Sequence, residues 1–204
     1  MYSIKSLHRN FIAELSSLEQ ILKDLSLEPK SYKRDVFIQG AFLRAVINWE
    51  NFIEECFLAA MCTCKTNSNS VLRPKITLSR NKNEAFKKIS ANRRLRDGDY
   101  VDWIDYQKLK QRVDYTFHHR SRFHCIYRDA TILNQVKAIR NHIAHNSKHS
   151  ERNFREQIIQ NVGYLAIPDP NAADILVSTN RRRALKFFSI YLSYYTETAN
   201  EICK

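Results

Sequence analysis

A chain of 204 residues, 44% of them hydrophobic, is long enough to bury a sizeable core, and no tail or linker in it is long enough to separate two domains. With 3 Gly and 4 Pro it lacks the punctuation of hairpin-rich sheets, and neither GxxxxGK(S/T) nor GxGxxG occurs, which leaves a nucleotide cradle of either type unsupported. Lys+Arg of 33 against Asp+Glu of 21 gives a net charge of +12, which favours a polyanionic partner, nucleic acid ahead of an anionic membrane surface; a basic protein with no such partner is the alternative.

In chain order, Phe11, Leu15, Leu18, Leu22 and Leu25 alternate steps of four and three, which predicts a helix over 3–25. Pro29 and Ser31 mark a break. The longest stripe follows over 34–62, with Ile38, Phe42, Ala45, Trp49, Phe52, Cys56 and Ala59 all apolar at coiled-coil-like spacing, and this helix is expected to form the spine of the fold. Residues 64–82 read as a loop, 83–91 as a short helix, 92–98 as irregular and 101–116 as a helix.

Further helices are expected over 128–146, 151–162 and 179–202, the last carrying Leu185, Phe188, Leu192, Tyr195, Ala199 and Ile202 on one stripe. Phe187, Phe188, Tyr191, Tyr194 and Tyr195 wrap more of that helix than one stripe needs, so it is either buried on two sides or part of a dimer surface. The whole predicts an all-α chain, a single bundle of four to five main helices with an inserted basic middle segment, spanning 1–204 as one domain.

The five cysteines, Cys56, Cys62, Cys64, Cys125 and Cys203, form no scaffold-like spacing and read as free thiols. Cys62 and Cys64 have no partner at zinc-finger spacing, so no metal and no cofactor is expected. The opening Met-Tyr-Ser-Ile-Lys lacks a signal-peptide pattern, and no uncharged run approaches the roughly 18 residues of a membrane span; a cytoplasmic protein without membrane contact is expected.

The chemistry-bearing run is Arg140-Asn141-His142-Ile143-Ala144-His145. Arginine grips a phosphate through two parallel donors, and histidine moves a proton near neutral pH. At about 100° per residue, Ile132, Val136, Ile139 and Ile143 form the buried seam within about 60° of one another, and Arg140 lies roughly 140° from His145. Asn141 and His145 share a face nearly opposite the seam. They therefore face solvent, a ligand or another subunit. Pairing of Arg140 with a carboxylate, and capping of the helix end by His145, are the purely structural alternatives.

The run VKAIRNHIAHNS, with the long helix FLRAVINWENFIEE before it and a terminal helix after it, resembles the HEPN superfamily, in particular its RiboL-PSP-like branch of prokaryotic toxin and defence ribonucleases. The resemblance covers about residues 34–202, and its specific part is the R-x4-H with its Asn. It implies an all-helical, dimerising domain that cuts RNA without metal. Arg140 and His145 would be the catalytic pair, Asn141 the polar residue beside the arginine, and Glu50 the acidic residue that orients the site. It also implies action in toxin–antitoxin or antiphage defence with an antitoxin or defence-system partner. Where relatives silenced by nucleotidyltransferases carry a modified tyrosine, two residues after the histidine, this chain has Ser147, so control by tyrosine modification is not expected. The alternative is a non-catalytic module of the same fold that binds RNA or protein.

One R-x4-H supplies one histidine, whereas RNA cleavage through the 2′-hydroxyl needs a base and an acid. A homodimer sharing one cleft supplies both. RNA, with tRNA a candidate, is the expected substrate. Arg80, Lys82, Lys87, Lys88, Arg93, Arg94 and Arg96, opposed by Glu84 alone, are the first choice for the RNA backbone, with a solvated face or an acidic partner as the alternative. Arg181, Arg182 and Arg183, at the start of the predicted last helix, would oppose its dipole. In TFHHRSRFHCIYR, Phe117, Phe123 and Tyr127 among His118, His119, Arg120, Arg122 and His124 are either core residues or base-stacking rings, the core reading being favoured.

Overall fold

The computed structural model describes residues 2–90, 101–145, 147–159 and 169–204. Strand β1 (Tyr2–Ser3) leads into helix α1 (Lys5–Leu27), which presents Phe11, Leu15, Leu18 and Leu22 to the core, the stripe its sequence predicts. Glu28 is extended, as the residue before a proline is forced to be, and Ser31 caps helix α2 (Tyr32–Met61) by accepting from the Arg34 amide at 3.2 Å. All seven residues of the α2 stripe are buried, so this helix of roughly 45 Å is the spine.

Short strands β2 (Cys64–Lys65) and β3 (Val71–Leu72) follow. The first pairs parallel to β1 and the second antiparallel to β2, and the reversal after α2 puts Thr63 at φ 65°. The stretch expected to be a plain loop therefore ties the first residues of the chain to the end of the spine. Helix α3 (Lys82–Ser90) agrees with expectation. Helix α4 (Tyr106–Thr116) begins later than the expected 101, because the Asp102 carboxylate accepts the Ile104 and Asp105 amides and Asp105 caps the helix through the Lys108 amide at 2.9 Å.

A 3-10 turn (Arg122–Tyr127) joins α4 to helix α5 (Ala130–His145), the motif helix. Helix α6 (Lys148–Phe154) opens on a capping box between Ser147 and Ser150 and continues as a π-helical turn (Arg155–Ile159). Helix α7 (Ala172–Val177), which the sequence reading missed, is capped by Asn171.

The expected helix over 179–202 is corrected. Strands β4 (Thr179–Asn180) and β5 (Leu185–Lys186) form a hairpin, and helix α8 runs only from Phe187 to Cys203. Arg181, Arg182 and Arg183 lie in the hairpin turn, not at a helix start. The Asn180 side chain accepts the amides of Arg182 and Arg183 at 3.0 Å each, which offers the backbone an alternative to the helix, and Ala184 takes φ 53°. The dipole penalty inferred for these arginines therefore does not arise.

The fold is predominantly α-helical. Helix α1 runs antiparallel to α2 and α8, as the contacts Phe11–Phe52 and His8–Asn200 at one end and Arg44–Glu14 and Lys186–Ser26 further along require. Trp49 stacks on Tyr195 with centroids 4.6 Å apart, and Phe42 meets Tyr191, so α2 and α8 share an aromatic seam; α8 is buried on both its α1 and α2 sides. One continuous hydrophobic cluster extends from Ile4 to Cys203. Among the described residues, no helix is long and apolar enough to cross a membrane.

Candidate active site

Helix α5 lies on the spine through Ile132, Val136 and Ile139, all buried, with Ile143 partly buried behind them. Its neighbour α4 is tied to it by Lys137, which bonds Asp105 and lies 3.5 Å from Asp102. Burial alone would raise the Asp105 acid; the Lys137 and Lys108 hydrogen bonds outweigh it and hold the carboxyl below its ordinary range. One turn beyond Lys137, the half-buried Arg140 reaches a cleft of about 440 Å³ between α2, α3 and the segment before α4.

Glu50, Asn51 and Glu54 from α2, Phe86 from α3 and Trp103 line the cleft with Arg140. The structure thus brings together Arg140 and Glu50, two residues 90 positions apart that the sequence reading nominated on different helices. Arg140 donates from Nη1 to Asn141 Oδ1 at 3.0 Å, so Asn141 joins the site as the arginine's acceptor. Behind the cleft, burial first and the Glu50 carboxylate second push the Tyr195 phenol well up, so this tyrosine stays protonated beside the glutamate.

His145 is not in the cleft lining. It is exposed at the last position of α5 and makes no hydrogen bond or ion pair among the described residues. The two histidines of the motif are distinct in kind. His142 is half-buried and stacked on Phe154, and burial pushes its imidazole below the ordinary histidine range.

Trp103 and Glu54 were missed as site residues. The indole N–H of Trp103 donates to Glu54 Oε2 at 2.7 Å, and the Arg112 guanidinium lies 5.0 Å from its ring. The Glu50/Glu54 spacing of four on one helix was the legible signal; their meeting with Trp103 depends on a contact across 49 residues. The cleft holds one guanidinium and two carboxylates. It can grip an anionic oxygen at Arg140 and accept protons or hydroxyl hydrogen bonds at Glu50, but it concentrates little net positive charge by itself.

The basic segment divides. Arg80 and Lys87 are exposed. Lys82 is paired with Glu55, and Lys88 bonds the Thr77 and Leu78 carbonyls and pairs with Glu84 at 3.0 Å, so these two lysines serve internal contacts. Arg93, Arg94 and Arg96 lie outside the described residues. Phe117 and Phe123 stack at 4.3 Å in the core against Phe57, which makes them core residues and not base-stacking rings. Among the described residues, no group of three His, Cys, Asp or Glu side chains is placed to hold a metal ion. The five thiols are unpaired, and burial pushes Cys64 up to about 12.

No family model matches this chain, and no curated protein and no solved structure is significantly similar to it.

Proposed function

We propose that this protein is a metal-independent endoribonuclease of HEPN type that works as a homodimer in the cytoplasm. The observation that carries the reading is the placement of Arg140 in an open cleft with Glu50, while His145, on the same helix, stands exposed with its imidazole uncommitted. Arg140 stabilises the extra charge on the scissile phosphate. One His145 imidazole takes the proton of the 2′-hydroxyl, which attacks phosphorus; the second chain's imidazole gives a proton to the departing 5′-oxygen. The products are a 2′,3′-cyclic phosphate and a 5′-hydroxyl. Asn141 holds the Arg140 guanidinium, and Glu50 orients it from the facing helix. Toxin–antitoxin or antiphage defence, with an antitoxin or defence-system partner, is the setting that the HEPN resemblance suggests.

The test is incubation of wild type, Arg140→Ala and His145→Ala with total RNA and tRNA in EDTA, followed by mapping of the ends. Wild type should leave cyclic phosphates, and each variant should lose cleavage by about two orders of magnitude or more with its helix content unchanged. Normal cleavage by His145→Ala sinks the assignment, and a fully active monomer sinks the shared site.

The second reading, a non-catalytic RNA- or protein-binding module of the same fold, is favoured by one observation: Glu54 and Glu50 sit beside Arg140, and His145 does not line their cleft. RNA binding without cleavage in EDTA selects it.

A further inference from the structure

A second concavity lies away from the Arg140 cleft and shares no lining residue with it. Strand β3 and its flanks, with Ser70 and Arg73, face the tight turn His118–Ser121 and the start of the following 3-10 turn, enclosing about 340 Å³. The lining supplies three guanidinium groups (Arg73, Arg120 and Arg122), one imidazole (His118) and the hydroxyls of Ser70 and Ser121, with no carboxylate.

Elsewhere, several arginines are matched to acids: Arg44 to Glu14, Arg128 to Glu197 and Glu201, and Arg155 to Glu151 and Asp169. Here they are not. Arg73, Arg120 and Arg122 make no side-chain hydrogen bond or ion pair among the described residues, and Nη1 of Arg122 is buried with no acceptor. Asp114, on the preceding helix, is committed to Tyr127 at 2.6 Å and lies 3.4 Å from His124. Three like charges around one hollow repel one another, and a buried guanidinium N–H without an acceptor has lost water and gained nothing for it. Both costs vanish when a multivalent anion enters.

From these contacts we infer that the pocket is a phosphate-binding site, filled by a phosphate of a ribonucleotide or of an RNA strand. The donor count decides the anion. Three forked guanidinium groups with two hydroxyls offer more donors than one carboxylate can accept, whereas a phosphate presents three or more acceptor oxygens and is recognised bidentately by arginine. The volume accommodates a nucleotide-sized group. Exposed Arg120, His118 and Arg73 meet the ligand at the mouth, and half-buried Arg122 meets it deeper. The inference does not depend on the nuclease proposal, because binding here requires neither Arg140 nor His145.

The experiment titrates ADP, a 5′-phosphorylated ten-residue oligouridylate and its 5′-hydroxyl counterpart into the full chain at low salt, with wild type, Arg122→Gln, the exposed double variant Arg73→Gln/Arg120→Gln, and Arg140→Ala (ADP only). Wild type should bind, and Arg122→Gln and the double variant should each weaken binding at least tenfold. Arg140→Ala should leave ADP affinity unchanged. A tenfold preference for the 5′-phosphorylated strand assigns the pocket to a terminal phosphate. Equal affinity for the two strands assigns it to chain phosphates, and the salt dependence should then fall by about 0.7 in log–log slope per contact removed. Absence of binding by wild type overturns the inference. So does undiminished affinity in the double variant, whose exposed positions leave the fold intact, or loss of ADP binding in Arg140→Ala.

Discussion

The imidazole of His142 lies flat on the phenyl ring of Phe154, with centroids 4.4 Å apart and 9° between the planes. The contact closes α6 back onto α5 and separates the motif's two histidines by role, one packed and one exposed. Removing the ring should cost about 1–2 kcal/mol, from the lost stack and the buried surface. His142→Ala should therefore melt several degrees lower than wild type, whereas His145→Ala should melt with it.

The same stack has a pH signature. Burial, the largest influence, lowers the folded-state pKa of His142 against the opposing pull of Glu151. Above the ordinary histidine value of about 6.5, both folded and unfolded chains carry the neutral ring, and no penalty exists. As pH falls below it, the unfolded chain takes the proton first, so stability drains until the folded protein is protonated too. His142→Phe keeps the stack and removes the titration. The drop in melting temperature from pH 7.5 to pH 5.5 should be smaller in His142→Phe than in wild type; equal drops would remove the argument.

Lys137 secures the helix that carries Arg140 by bonding Asp105 at the start of α4. Because both side chains are partly buried, Lys137→Ala should cost about 1 kcal/mol, at the upper end for an ion pair of this kind. The Asp105 carboxyl is held below its ordinary range, so the stability it contributes is present above about pH 4 and is lost as pH falls through the lower folded value. Acid unfolding monitored by circular dichroism should show a shallower loss between pH 4 and pH 2 in Lys137→Ala than in wild type.

At the opposite end of the spine, Arg34 and Asp35 are buried, 6% and 7% exposed, and bonded to each other at 3.4 Å. Asp35 also accepts from Asn171 at 2.9 Å, fastening α7 to α2. Asp35→Ala leaves a buried guanidinium without its carboxylate and should destabilise the protein by about 3–5 kcal/mol, measured by urea unfolding. Asp35→Asn, which keeps an acceptor, should cost less.

The contrast between these features explains what the sequence displays. The α2 stripe from Ile38 to Ala59 is legible because one helix face buried along its length imposes a period on its residues. The R-x4-H run is legible for a similar reason: the seam on α5 dictates which residues turn outward. Nothing in the local pattern marks Arg34 and Asp35 as buried, because the partners that receive them lie elsewhere: Asn171, 136 residues away, for Asp35, and the Leu25 carbonyl for Arg34. The hairpin at Arg181–Arg183 was misread because Leu185 and Phe188 continue a helical stripe, while a local hydrogen-bonding choice by Asn180 cuts it short. Long-range packing decides the cleft as well: α5 on α2 brings Arg140 and Glu50 to line the same cleft, and periodicity on either helix alone contains no trace of that.

Glu54 offers the sharpest separation of structural from electrostatic roles in the cleft. Its carboxylate accepts the indole N–H of Trp103, which is itself buried, and it also places negative charge beside Arg140. Glu54→Ala strands the indole N–H and should cost about 1–3 kcal/mol; Glu54→Gln retains an acceptor oxygen and should cost less. For an anionic ligand the order changes, because both substitutions remove the repelling charge. RNA affinity, measured by anisotropy with His145→Ala in the background to prevent cleavage, should therefore rise about equally in Glu54→Gln and Glu54→Ala, by several-fold at low salt and less at high salt. A fall in affinity in Glu54→Gln, with the fold intact, would mean that this carboxylate receives a donor from the RNA itself and that the cleft reads a base or a ribose hydroxyl as well as a phosphate.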